Sequence, residues 1–216
     1  LIYLGCVMLF CNAPFLNNQK PYMILRCKRK GWYLGENMYV WLAAFLYMLF
    51  ISLISLIAVL PTVSTNRLWG EIAGDFVVNQ RSLIPVYTWG LVMPVRVIQN
   101  YYPLAAFMYT FITGWLSIVF IGKLMYLLNL KIGKKTIGIS AAVFFIMLDP
   151  VAVYFTNFKQ YGLFYVSPIN WSSLENINTV SGYPHLSGEY MFAMYIILIG
   201  VESLLSYICS IKMDIE

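Results

Sequence analysis

Charge is scarce in this chain. Only 11% of its 216 residues are Asp, Glu, Lys or Arg, while 61% are hydrophobic. A soluble domain carries about 25% charged residues, because water must solvate its surface. A folded domain of this size still exposes roughly a third of the surface of its unfolded chain, so a water-soluble core cannot absorb the excess. Lipid must take the place of water, which predicts an all-α integral membrane protein. The expected form is a polytopic bundle of about five or six transmembrane helices with no soluble catalytic domain. Histidine is nearly missing as well: His185 stands alone, and no HExxH pair exists to hold a catalytic zinc. Nucleotide-binding glycines are absent too. Gly122-Lys123 lacks both the upstream glycine and the following Ser or Thr of a phosphate-binding loop, and no GxSxG elbow occurs. Cys6, Cys11, Cys27 and Cys209 show no CxxC spacing, so neither a disulfide framework nor a zinc site is implied. The nine acids are scattered, without a close pair in a span. The chain is therefore expected to be no enzyme and to hold no metal or cofactor of its own.

What charge there is has a direction. The net charge is +5 and the pI about 9.0, yet Lys and Arg gather in short segments beside apolar runs. That is how membrane topology is encoded, and no nucleic acid need be invoked. The whole of residues 1–216 reads as a single transmembrane domain. Residues 1–15 read as a partial first span whose beginning is expected to lie outside this sequence, since residues 1–10 are too few to cross about 30 Å of hydrocarbon. Residues 17–36 are polar and basic, with Lys20, Arg26, Lys28, Arg29 and Lys30. Further spans are expected at 37–60, 104–130, 136–154 and 190–211, with a tight basic turn at 131–135. By alternation residues 17–36, residues 131–135 and the C-terminal tail share one side, which the positive-inside rule makes cytoplasmic. Loops 61–103 and 157–189 then lie outside and carry the remaining Arg67, Arg81, Arg96 and Lys159. Both contain apolar and aromatic stretches suited to short interfacial helices or to folding back into the membrane. Trp69, Trp171 and His185 read as loop-packing residues there. Asn170-Trp171-Ser172 matches a glycosylation sequon that would matter only in a secretory pathway.

Two features carry chemistry. In the basic segment, Pro21-Tyr22-Met23-Ile24-Leu25-Arg26-Cys27-Lys28-Arg29-Lys30-Gly31 reads as one short helix. Pro21 suits its first turn and Gly31 its C-terminal stop, and the three cations near its end suit the negative pole of its dipole. With an apolar part and a basic part, it would either rest on anionic headgroups or dock into a partner protein. The other feature is Glu202, inside the last apolar run and about 18 Å of helix from Tyr190. An acid at that depth costs ~2.5–3.5 kcal/mol, so it is expected to face protein or water. Lys123, near the end of its span, is placed to snorkel to the interface or to reach Glu202. The pair reads as a structural ion pair or as a polar element of a translocation path. Asp149-Pro150 reads as the cap or end of its helix.

Ala13-Pro14-Phe15 through Ile24-Leu25-Arg26 to Gly31-Trp32, followed by a span, resembles the cytoplasmic coupling-helix region of ABC-2 type transporter permeases. Leu68-Trp69-Gly70 after the next span, and the order of loops and spans, are similar to helices two to six of that six-helix family. The loop at 61–103 is longer than the family's. The resemblance implies a permease subunit of an ATP-driven exporter in the cytoplasmic membrane, paired with a second permease and docked on two cytoplasmic ATP-binding-cassette ATPases that hold ATP and Mg. Tyr22, Met23, Ile24, Leu25 and Arg26 would form the docking contact, and Glu202 and Lys123 polar positions on the path. An exporter of this kind would move a peptide, lipid-like or other small molecule. The competing expectations are an ATP-independent secondary transporter or channel and a non-transporting sensor or assembly subunit.

Overall fold

A chain in lipid must satisfy its backbone hydrogen bonds internally, and helices do so locally. In the computed structural model, which describes residues 2–14, 20–59, 95–156, 162–174 and 187–212, every regular element is helical. These are α1 (Ile2–Phe10), α2 (Lys20–Val59), α3 (Val95–Asn100), α4 (Pro103–Ile132), α5 (Lys135–Thr156), α6 (Gly162–Val166), a 3-10 turn (Asn170–Ser172) and α7 (Gly188–Lys212). Among the described residues, four helices are long and apolar enough to cross a membrane: Tyr22–Ala58, Pro103–Ile132, Lys135–Ala152 and Gly188–Ile211. They overlap the four full spans expected from the sequence. With nine residues, α1 is too short to do the same. The Leu68-Trp69-Gly70 motif, Arg67, Arg81, Lys159 and His185 lie outside the described residues, whereas α3, α6 and the 3-10 turn are short helices within the two expected outer loops.

The centre of the bundle is α4. Pro103 opens it, where a missing N–H costs nothing. Gly133 closes it in the left-handed conformation (φ 72°), its N–H returning to the Asn129 carbonyl at 2.9 Å. Residues 117–123 of α4 are buried on every side, because α1, α2, α5, α7 and the 3-10 turn all pack on this one helix. Small residues permit the approach: a Cβ on Gly122 would sit 3.0 Å from both Phe10 and Val40. Cross-contacts give the directions. Phe120 meets Phe145 and Gly138 meets Asn129, so α5 runs against α4. Lys123 meets Asn37 while Trp115 meets Trp41, so α2 also runs against it. Both α1 and α7 run with it, as Tyr3 to Ser117 with Ala13 to Asn129, and Tyr109 to Phe192 with Lys123 to Ser203, require.

Those directions bring the basic segments to one end of the bundle. Arg29 of α2 donates to the Ile211 carbonyl of α7, and Lys135 donates to Asn12 Oδ1 at 2.9 Å. Around the bundle, Leu42, Leu46, Phe50, Leu53 and Ile57 of α2 present an exposed apolar face of the kind that contacts lipid.

Two local expectations are corrected. Helix α5 does not end at Asp149-Pro150 but continues through Pro150 to Thr156, because membrane helices tolerate the lost donor of an interior proline better than soluble ones. The helix at residues 21–31 does not stop at Gly31. The backbone breaks at Lys28 (φ 59°, ψ 162°) and resumes at once, so Gly31 lies within the span-forming helix. Ile24 and Trp32 lie on either side of the break. Both bury against the same cluster of Ala13, Tyr126 and Leu130, whereas eight residues of straight helix would hold them about 12 Å apart.

Asn129 is the polar pin of the basic end. Its Nδ2 donates to the Ala13 carbonyl at 2.7 Å, and its Oδ1 accepts from the Gly138 N–H at 3.2 Å. Asn129→Leu should therefore orphan two buried groups at about 1–3 kcal/mol each, seen as a lower thermal-unfolding midpoint in detergent. Gly138→Ala should lower it too, since the new Cβ would collide with the Asn129 amide and come within 3.0 Å of the Met125 carbonyl oxygen.

Candidate functional site

An ionisable group inside a membrane span needs a protein partner or water. Lys123 and Glu202 meet this requirement together. Each lies nine residues from the end of its span at the basic end (Ile132 and Ile211), or about 14 Å of helix. Both are buried, at 4% and 6% exposure. Lys123 does not snorkel outward: its ammonium donates to Asn37 Oδ1 of α2 and, at 2.6 Å, to Ser203 Oγ of α7. Asn37 and Ser203 thus supply its acceptors inside the bundle. Ser203 is itself fixed, its hydroxyl donating to the Ile199 carbonyl at 2.5 Å.

A second tier lies beside this pair. Glu36 precedes Asn37 on α2, and Tyr126 is one helical turn from Lys123 on α4. Tyr33 donates to the Ser203 carbonyl at 2.8 Å and sets its ring edge against Tyr207. On α2 the polar contacts to α7 and α4 come from Arg29, Tyr33 and Asn37, spaced at four residues and so on one helical face. On α7 the buried stripe is Met191, Tyr195, Ile199, Glu202, Ser206 and Ser210, which turns from apolar to polar along its length. Glu202 Oε2, Glu36 Oε2 and the Tyr126 hydroxyl are buried and have no hydrogen-bond partner among the described residues.

The helix at residues 20–27 holds the other predicted residues. Tyr22 and Leu25 are 75% and 77% exposed, and Met23 and Arg26 are exposed beside them. Ile24 departs from this set: it is 7% exposed and packs inward. The structure thus leaves Tyr22, Met23, Leu25 and Arg26 on one exposed segment and brings Lys123 and Glu202 together elsewhere. Sequence reading missed Glu36, Asn37, Tyr33, Tyr126 and Ser203. The available signal was the four-residue spacing of Arg29, Tyr33 and Asn37, hidden by ending the basic helix at Gly31.

At the opposite end, Trp171 is buried between Tyr190 and Tyr195, and its Nε1 donates to the Phe164 carbonyl at 2.7 Å. Tyr195 donates to the Pro168 carbonyl at 2.5 Å, and Tyr3 joins Ser117 and Ser172 at 3.0 and 2.6 Å. Tyr195 lies seven residues into α7, so the turn reaches about 10 Å along the helix from its start. Asn170 is fully buried, so the sequon does not present it to a glycan. Among the described residues, no three His, Cys, Asp or Glu side chains gather as a metal set.

Removing the Lys123 charge leaves Glu202 buried without its counter-charge. Lys123→Met is therefore expected to lower the thermal-unfolding midpoint in detergent, and Lys123→Met/Glu202→Gln to lower it by less than the single change. A double-mutant cycle on thermal unfolding in detergent reads the difference; strict additivity would show that the two groups do not interact. Comparison with protein-family models, with curated proteins and with solved structures finds no match.

Proposed function

We propose that the chain is the membrane-spanning permease subunit of an ATP-driven exporter of the ABC-2 type. The observation that carries this reading is the helix at residues 20–27. It is joined to a membrane-spanning helix by a backbone break at Lys28, and it exposes Tyr22, Met23 and Leu25 beside Arg26. An exposed apolar patch beside a cation is a docking surface in form. A break between two helices lets one swing while the other stays packed. Lys28 sits at positive φ, where a side chain is strained by roughly 1–3 kcal/mol, so the junction has little conformational margin of its own.

In this reading a cytoplasmic ATP-binding-cassette ATPase docks on Tyr22, Met23, Leu25 and Arg26, and carries the ATP and Mg. Its closure swings residues 20–27 about Lys28. Arg29, Tyr33 and Asn37, which bond α7 and Lys123, then carry the motion into the bundle. A second permease subunit completes the path, and the cargo is a peptide, a lipid-like molecule or another small molecule. The basic end of the bundle is the cytoplasmic end, placing residues 17–36, 131–135 and the tail inside the cell. A second reading, an ATP-independent transporter driven by an ion, is favoured by the charged side chains buried within the spans.

Affinity purification in mild detergent separates the two. The expected result is a stoichiometric Walker-type ATPase that co-purifies with the wild-type protein and is lost with Tyr22→Asp/Leu25→Asp, while the variant still elutes as a monodisperse species. Ile24→Asp should instead broaden or abolish that elution peak, because Ile24 is part of the core. A wild-type protein that brings no ATPase, under conditions in which known permease–ATPase complexes survive, would overturn the ATP-driven reading.

A further inference from the structure

Cations gather at one end of the bundle from two segments far apart in the chain. Lys28 and Lys30 of α2 are exposed, and so are Lys131, Lys134 and Lys135 at the α4–α5 turn. Trp32 and Leu130 bring the two segments together, since both belong to one buried cluster with Ala13, Ile24 and Tyr126. Among the described residues, no exposed Asp or Glu answers these charges. Glu36 is half-buried, Glu202 is buried, and Asp149 and Glu189 lie toward the opposite end of their helices. Residues 212–216 add one cation and two acids, which leaves the end cationic. The level of the ammonium groups matters as much as their number. Ile132 ends one candidate span and Lys135 opens the next, so the lysines of this turn stand where hydrocarbon gives way to headgroups. Beyond Lys30 on α2, Leu34 and Met38 follow at four-residue spacing on one helical face and are 59% and 63% exposed. That face is amphiphilic along its length, with an ammonium at its end and an apolar stripe running from it into the span.

We propose that this end of the bundle binds anionic phospholipid selectively, with headgroup phosphates on Lys30, Lys131 and Lys134 and, at Lys30, the acyl chains along Leu34 and Met38. Like charges without counter-charges repel one another, and an anionic leaflet offsets that repulsion where a zwitterionic one does not. Charge therefore selects an anion, and the apolar stripe selects a lipid. A free phosphate or an acidic protein would meet the ammonium groups but leave Leu34 and Met38 uncovered. Lys135 contributes less, because its ammonium already donates to Asn12 Oδ1 at 2.9 Å. The site rests on the chain crossing a membrane and not on the ATPase reading, since it uses none of Tyr22, Met23, Leu25 and Arg26.

Electron paramagnetic resonance tests this on the purified full chain in phosphatidylcholine bilayers that carry spin-labelled phosphatidylglycerol or spin-labelled phosphatidylcholine. The fraction of label slowed by the protein gives the association of one lipid relative to the other. The expected result is a preference for phosphatidylglycerol at low salt that disappears in about 1 M NaCl, where the screening length is about 3 Å. Lys30→Gln/Lys131→Gln/Lys134→Gln should lower the preference, by up to about fivefold per charge. Lys30→Arg/Lys131→Arg/Lys134→Arg should retain it. The proposal is overturned if the two lipids associate equally at low salt, or if the triple change to Gln leaves the preference unmoved. Inorganic phosphate that abolishes the preference, at an ionic strength at which chloride does not, would overturn it too, in favour of a free anion. No ATPase is present in the measurement, so a failure here leaves the ATPase reading standing, and a failure of that reading leaves this one.

Discussion

A positive charge buried in a bundle surrounded by hydrocarbon constrains nearly everything near it. Lys123 stands on the central helix and ties α2 and α7 to it through Asn37 and Ser203. In water such bonds would exchange freely with solvent. In lipid the alternative is an unsolvated ammonium, so the three helices keep the register that satisfies it. Glu202 is tolerated at its depth because that ammonium is near. The small residues of α4 let the neighbours come close enough for short polar side chains to reach across.

The same register organises the basic end. Arg29 caps the last turn of α7, where free carbonyls and the helix dipole favour a cation. Lys135 reaches Asn12, and Asn129 joins α1 to α5. Arg26, Lys28, Arg29, Lys30, Lys131, Lys134 and Lys135 therefore converge on one end of the molecule although they come from distant parts of the chain. Beside them, residues 20–27 are held by Ile24 while Tyr22, Met23 and Leu25 remain outside. The segment is thus anchored on one side and open on the other.

At the far end the physics is different. Residues 167–171 are all buried, yet their backbone is irregular. Such a backbone survives at depth only when protein groups meet its carbonyls. Tyr195 meets Pro168, Thr113 meets Ser172 at 3.4 Å, and Trp171 meets Phe164. Aromatic edges around Trp171 fill the remaining space, as edge-to-face pairs do. The loop is thus packed between α4 and α7.

Composition and the lengths of the apolar runs determined that the chain is helical, that it belongs in a membrane, and where its four long spans lie. Those properties depend on hydrocarbon thickness and on backbone bonding, which act locally along the sequence. Glu202 was legible as an intramembrane acid for the same reason. Only the tertiary structure decided that Lys123 turns inward to Asn37 and Ser203, that Ile24 belongs to the core, and that the basic helix breaks at Lys28 and not at Gly31. Each of these depends on which face of one helix meets another. That choice is made by side chains far apart in sequence, competing for the same few acceptors and the same small cavities around α4.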